Sequence, residues 1–235
     1  MIEIAEVVDV EAPLLRRREI AKDTLELTFD CSARPLPFTS GQYLSTIMPD
    51  ADDLDVADRM REFSIVSSPS EPERITIAYR DSDSVVKRHL RGIPDGTPVR
   101  LQGPFGTFAV PNDGTPIALI AGGIGNAPFR SMLHDPRHAN RPLGLFCWNR
   151  DQALAPYLDE LTVLTAADTR TLVSRFGRFK PDPLKPWLAQ HPDTWWMVAG
   201  PPEMVRRALA GLDALGVPQQ RVRTEEFTGY ADEHM

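Results

Sequence analysis

The sequence predicts a β + α/β fold: an N-terminal antiparallel β-barrel followed by a C-terminal doubly wound parallel sheet. Three observations carry this reading. The first half is a series of short segments rich in β-branched and aromatic residues, separated by Gly, Pro, Asp and Ser clusters. The second half alternates continuous apolar runs with helical patterns, the signature of strand–helix repeats. Between them, residues 110–116 hold two prolines, Asn112, Asp113 and Gly114, a turn-rich hinge that divides the 235 residues into 1–112 and 113–235. Each part is large enough for its own core, since domains of about 100 residues are common.

The elements follow in chain order. Strands are predicted at 24–29, 42–47, 62–66, 74–79 and 98–102, with one helix at 84–90. Strands this short and evenly spaced suit a barrel. The run 117–121, Ile-Ala-Leu-Ile-Ala, has no polar face, as expected for a strand buried on both sides of a parallel sheet. Further strands are predicted at 143–148, 171–174, 195–199 and 221–225. The clearest helix is 202–216. Met204, Ala208, Leu212 and Leu215 share a face, Pro201 and Pro202 stand at its start, and Gly216 stands at its end.

Charge and composition exclude several classes. The formal net charge is −7, against a nucleic-acid partner, which needs a basic surface. Arg16 to Arg18 and the basic run 87–91 read as solvated faces rather than docking patches. Two cysteines, Cys31 and Cys147, are too few for a disulfide scaffold or an iron–sulfur cluster, and the five histidines show no ligand spacing, so no metal is expected. No apolar run approaches the roughly 18 residues of a membrane span. The acidic start lacks the order of a signal peptide, so a cytoplasmic protein is expected.

One turn carries chemistry. The apolar run 117–121 leads into Gly122, Gly123, Ile124, Gly125, Asn126, Ala127 and Pro128, and a helix opens at Phe129. Glycines let a backbone approach a pyrophosphate closely, and unpaired N–H groups at a helix N-terminus attract an anion. The dinucleotide fingerprint G-x-G-x-x-G is met except that its third position is Pro128, a residue suited to the first turn of a helix. A second motif, Arg61, Phe63 and Ser64 in the order R-x-F-S, offers a cation, an aromatic ring and a hydroxyl. Regular strand alternation would place Phe63 and Ser64 on opposite faces.

The order of motifs identifies a resemblance. Gly41-Gln42-Tyr43, then Arg61-x-Phe63-Ser64, Gly103-Pro104-Phe105-Gly106, the 122–128 turn, Gly200-Pro201-Pro202-Glu203-Met204 and Glu225-Glu226-Phe227 together resemble the ferredoxin–NADP reductase family over essentially the whole chain. The small bacterial FAD/NAD(P)-binding oxidoreductases are the nearest in pattern. The resemblance implies an FAD-binding barrel, an NAD(P)-binding α/β part, and a flavin-dependent oxidoreductase. Electrons would pass from NADPH or NADH through FAD to ferredoxin, flavodoxin or another acceptor.

It also implies residue roles. Arg61 would pair with the FAD pyrophosphate, Phe63 would lie against the isoalloxazine, and Ser64 would hydrogen-bond near flavin N5. Arg80 and Ser84 match a second FAD segment, and Ser84 also suits a helix N-cap, two roles that can coexist. Gly122, Gly123, Gly125, Asn126 and Pro128 would receive the dinucleotide pyrophosphate, and Gly200, Pro201 and Met204 match the second NAD(P) segment. Glu226 and Phe227 would close over the flavin, with Ser64 and Glu226 as the catalytic hydrogen-bond or proton partners and Tyr230 as a further candidate. Arg150 with Asp151, and Arg175 with Arg178, bear on NADPH against NADH, because a cation favours the 2′-phosphate and an acid the 2′-hydroxyl. Two departures stand out: Ala199 where many members carry Cys, and Asn126-Ala127 in place of an apolar–Thr pair. They leave open a reductase of small molecules and a flavin-binding regulatory subunit with poor turnover.

Overall fold

The structure is a computed structural model and describes residues 6–49, 55–166 and 169–227, with the backbone alone at 56 and 57. In the first half, β1 (Val8–Ala21), β2 (Thr24–Asp30), β3 (Tyr43–Ile47), α1 (Val56–Arg59), β4 (Met60–Ser64), β5 (Arg74–Arg80), α2 (Val85–Gly92) and β6 (Pro98–Phe105) follow in order. The strands form one antiparallel sheet ordered β4-β3-β6-β1-β2-β5. Its edge strands meet through the single bridge Ile65–Ile77 and the Val66 N–H to Thr76 O bond of 2.8 Å, so the sheet is barrel-like and not closed. Leu27, Phe29, Leu44, Ile75, Ile77 and Leu101 fill the interior, and α2 plugs one mouth with Val86 and Leu90.

The 14-residue β1 was absent from the sequence reading. Its first half pairs with β6 and its second half with β2, so it spans the sheet although only Val8, Ala12 and Leu14 are buried. The basic runs also correct the reading of solvated faces. Arg17 donates to Leu90 O at 3.1 Å and Ile93 O at 2.5 Å, capping carbonyls left over at the end of α2. Arg18 holds a buried carboxylate described below.

In the second half, β7 (Ile117–Gly122), α3 (Asn126–His134), β8 (Leu143–Asn149), α4 (Leu158–Leu164), β9 (Arg170–Phe176), α5 (Lys185–Gln190), β10 (Trp195–Gly200), α6 (Pro202–Ala214) and β11 (Val222–Glu226) alternate. The sheet is parallel, ordered β11-β10-β7-β8-β9. Sequence order reverses between β7 and β10, so the crevice at their carboxyl ends is the topological switch point of the sheet. One face packs on Phe129, Met132 and Leu161 and the other on Trp187, Val205, Ala208 and Leu212, which is why β7 and β8 are buried throughout. The buried face of α6 is Val205, Ala208, Gly211 and Leu212. That is rotated from the predicted stripe, because Met204 turns toward the switch point and Leu215 is the C-cap.

The halves are joined by packing and by hydrogen bonds. Val66, Ala78 and Phe108 share a core with Phe129 and Met132. Ser131 Oγ donates to Ser67 O at 2.8 Å, Ser40 Oγ to Asp135 Oδ2 at 2.7 Å, and Arg130 Nη1 to Val66 O at 3.0 Å. No helix among the described residues is long and apolar enough to cross a membrane, and no cluster of His, Cys, Asp and Glu among them is arranged to hold a metal.

Candidate functional site

The site is built from three parts along the seam between the halves. The first is the glycine turn. Gly123 has φ +54°, and a Cβ there would meet nothing within 4 Å, so this position opens toward solvent at the start of α3. The other glycines serve close approach inside the protein. A Cβ on Gly125 would lie 2.1 Å from Ala199 O, one on Gly122 2.7 Å from Met204 Cε, and one on Gly200 (φ +151°) 3.1 Å from Gly122 N and O. The segment at Gly200, Pro201 and Met204 therefore packs directly on the turn, at the switch point, and Pro128 is buried in the first turn of α3. An open left-handed glycine at a helix start, on the carboxyl edge of a parallel sheet, suits a pyrophosphate.

The second part is a cation cluster at the start of α2. Ser84 caps the helix, accepting from Lys87 N at 3.4 Å. Lys87 Nζ donates to Arg80 O at 2.9 Å. Burial, with Arg61 and Arg80 pressing from nearby, lowers the Lys87 ammonium to about 8, against a smaller opposing pull from Asp81. Asp81 is itself engaged by Arg91 at 2.6 Å. Arg61, Arg80 and Lys87 thus gather positive charge near the N-terminus of α2, the end of a helix that favours negative charge.

The third part joins strands 161 residues apart: Ser64 Oγ donates to Glu225 Oε2 at 3.4 Å. Burial first, and the Glu62 charge in addition, push the Glu225 carboxyl up to about 7, with the Ser64 bond opposing. A carboxyl in that range holds or releases a proton near neutral pH. Beside it opens a cavity of about 510 Å³ lined by Tyr43, Phe108, Arg223, Thr224 and Glu225. Arg223 donates to Ala109 O, and Phe227 N–H to Gly200 O at 3.0 Å, so the last strand is tied to both halves.

The structure places the other expected site residues as follows. Glu226 is exposed and Glu225 is the residue against Ser64, because alternation along β11 turns the two carboxylates opposite ways. Phe63 is 6% exposed and packs on Tyr79 with ring centroids 5.3 Å apart, at the margin of the barrel core. Asn126 is 1% exposed and its amide is spent on Pro156 O (3.2 Å) and the Cys147 thiol (3.2 Å), away from the turn's open side. Met204 is partly buried against the core and packs on Gly122. Arg150 is exposed beyond β8, while the Asp151 carboxylate is engaged in capping Leu154 N at 3.1 Å. Tyr230 lies outside the described residues. The residues not foreseen are Lys87, Glu225 and Arg223. A cation three residues after an N-cap was the signal for Lys87. For Glu225 it was strand parity, which needs a partner strand to be read.

The architecture is that of an FAD/NAD-binding reductase fold, and the comparisons with known proteins agree with it. No family model matches the chain. The chain is similar to the reductase component of a propane 2-monooxygenase of Gordonia sp. (strain TY-5), 26% identical over 97% of this chain and 70% of that protein. It is also similar to a ferredoxin–NADP reductase B of Sorangium cellulosum (strain So ce56), 28% identical over 68% of this chain and 66% of that protein. The chain thus spans about two thirds of the length of these relatives. A solved Amycolatopsis cytochrome P450 reductase superposes with a TM-score of 0.80 at 24% identity, over 96% of this chain and 71% of that one, which establishes the fold. The relatives are ferredoxin–NADP reductase-like reductases, as the order of motifs implied.

Proposed function

We propose that the chain is an FAD-dependent NAD(P)H oxidoreductase that delivers electrons to a protein acceptor such as a ferredoxin or flavodoxin, in the cytoplasm. Residues 1–112 would serve as the flavin part and 113–235 as the dinucleotide part. The observation that carries the reading is the Ser64–Glu225 contact, which brings the R-x-F-S strand and the last strand of the parallel sheet together beside the switch point. Bound FAD would supply the redox chemistry, accepting a hydride and releasing electrons onward.

The chain's own residues do the rest. Arg61, Arg80 and Lys87, with the α2 N-terminus capped by Ser84, hold the FAD pyrophosphate. Gly122, Gly123 and the start of α3 hold the dinucleotide pyrophosphate, with Gly125, Gly200 and Pro201 allowing the close packing that shapes the turn. Ser64 and Glu225 hold or move a proton at the seam. Phe227 covers the seam from the side of β11. NADPH is the proposed donor and NADH the alternative. Arg150 and Arg175 are exposed at the carboxyl ends of β8 and β9, while the nearby acid, Asp151, is occupied by its own turn.

Anaerobic spectroscopy tests the reading. The protein purified with FAD is expected to be yellow and to bleach on adding NADPH, more slowly with NADH. A chain that refuses FAD, or keeps its colour with both nucleotides, would refute it.

A further inference from the structure

We propose that segment 150–157 is a strap that sets the spacing between the two cofactor sites, with Tyr157 and Glu26 as the positioning pair that locks it to the barrel-like half. The inference rests on the reading above.

The strap is held at three points, each reaching a different part of the molecule. Ala153 O accepts from Lys22 N–H at 2.8 Å, in the tight turn between β1 and β2. Pro156 O accepts from Asn126 Nδ2 at 3.2 Å, at the start of α3 beside the glycine turn. Tyr157 Oη donates to Glu26 Oε2 at 2.8 Å, on the outer face of β2. Tyr157 adopts φ +60°, a left-handed conformation that non-glycine residues rarely take, at the N-cap of α4. Strained backbone persists only where surrounding contacts demand it.

Glu26 is 2% exposed, and a carboxylate is buried only when well paired. Its charge is already met within its own half. Arg18 binds it through Nε at 2.5 Å and Nη2 at 3.0 Å, and Arg16 lies at 3.4 Å. The Tyr157 hydroxyl is therefore not needed to neutralise Glu26, and what it adds is a link across the seam. The Tyr157 ring is flanked by two guanidinium groups, Arg18 at 5.9 Å and Arg130 at 5.2 Å. Arg130 belongs to α3 and donates to Val66 O, two residues beyond Ser64. The path from the glycine turn through Asn126, Pro156 and Tyr157 to Glu26 is thus continuous. Hydride transfer demands reacting atoms about 3 to 3.5 Å apart, so a displacement of about 1 Å at either end is costly in rate.

The test uses the full chain in FAD-loaded and FAD-free forms. In Tyr157→Phe, FAD content should match wild type, and chemically reduced flavin should pass electrons to ferricyanide at the wild-type rate. Reduction by NADPH in anaerobic stopped flow should fall on the order of tenfold, as expected for loosened orientation. Glu26→Gln, which keeps acceptor oxygen for both Arg18 and Tyr157, should retain most of the wild-type rate, and Tyr157→Phe combined with Glu26→Gln should be no worse than Tyr157→Phe alone. Hydrogen exchange on the FAD-free chain gives a readout independent of turnover: the Lys22 amide and residues 153–157 should exchange faster in Tyr157→Phe. Unchanged exchange overturns the strap, as does a hydride-transfer loss matched by equal loss of FAD or of ferricyanide reduction. A wild-type chain that NADPH and NADH both fail to reduce sinks the functional reading instead, and the exchange result then decides the strap.

Discussion

At the residue scale, the proposed chemistry turns on Glu225 and on the cations around Lys87. Burial raises the Glu225 carboxyl to about 7. The folded chain therefore keeps a proton that the unfolded chain has released, and stability from this group falls as pH rises from the ordinary carboxyl range toward 7. Melting curves of wild type and Glu225→Gln, compared between pH 4 and 8, should show the variant gaining on wild type as pH rises. The same variant should reduce the NADPH-dependent rate by about 10²-fold, at the low end of general acid–base contributions, and should remove an inflection near neutral pH from the rate profile. For the cluster, Arg61→Ala is expected to raise the FAD dissociation constant at least tenfold in a fluorescence-quenching titration, since hydrogen bonds to charged groups contribute about 1.5 to 3 kcal/mol. The R-x-F-S pattern of Arg61, Phe63 and Ser64 could be picked out because it is local. The choice of Glu225 over Glu226 could not, because adjacent residues on a strand differ only in which face they meet.

At the element scale, the glycine turn separates two roles that one motif conflates. Gly125→Ala drives a Cβ into Ala199 O and should cost about 3 kcal/mol, the upper end of overpacking, visible as a lowered Tm. Gly123→Ala meets open space, so its cost should be about 1 kcal/mol from the left-handed backbone alone. On the proposed function its larger effect should be on KM for NADPH, because the new methyl would stand in the open space assigned to the pyrophosphate. Steady-state kinetics and thermal melts of the pair would show the two effects dissociating. The three central parallel strands, β7, β8 and β10, were legible because each is an apolar run, while the edge strands β9 and β11 carry charged residues and showed only through the strand–helix alternation. Strand β1 was not legible, because its charged residues serve contacts with β2, α2 and the seam that leave no alternation to read.

At the scale of the whole molecule, the halves share a core and a set of hydrogen bonds rather than a bare linker. Val66, Ala78 and Phe108 pack with Phe129 and Met132, and Ser40, Ser67 and Val66 each accept or donate across the seam. Calorimetry of the FAD-free chain is expected to give one cooperative transition whose calorimetric and van't Hoff enthalpies agree. Two resolved transitions would show that the seam is weaker than its contacts indicate. The seam also places Glu160, whose carboxyl is held down to about 2 by His134 and Arg130. That group stays ionised through the physiological range and continues to anchor Arg130 beside Val66.

Fold class, the position of the glycine turn and the order of motifs are all local properties of the chain: apolar periodicity, glycine placement and short spacings. They could be read without coordinates because the forces behind them act over a few residues. Which carboxylate faces Ser64, that Phe63 belongs to the core, that Asn126 is spent on Pro156, and that Tyr157 reaches Glu26 were decided only on folding. Each depends on how strands and helices far apart in sequence register against one another, and a shift of a single residue in that register turns a side chain from the site to the core or to solvent.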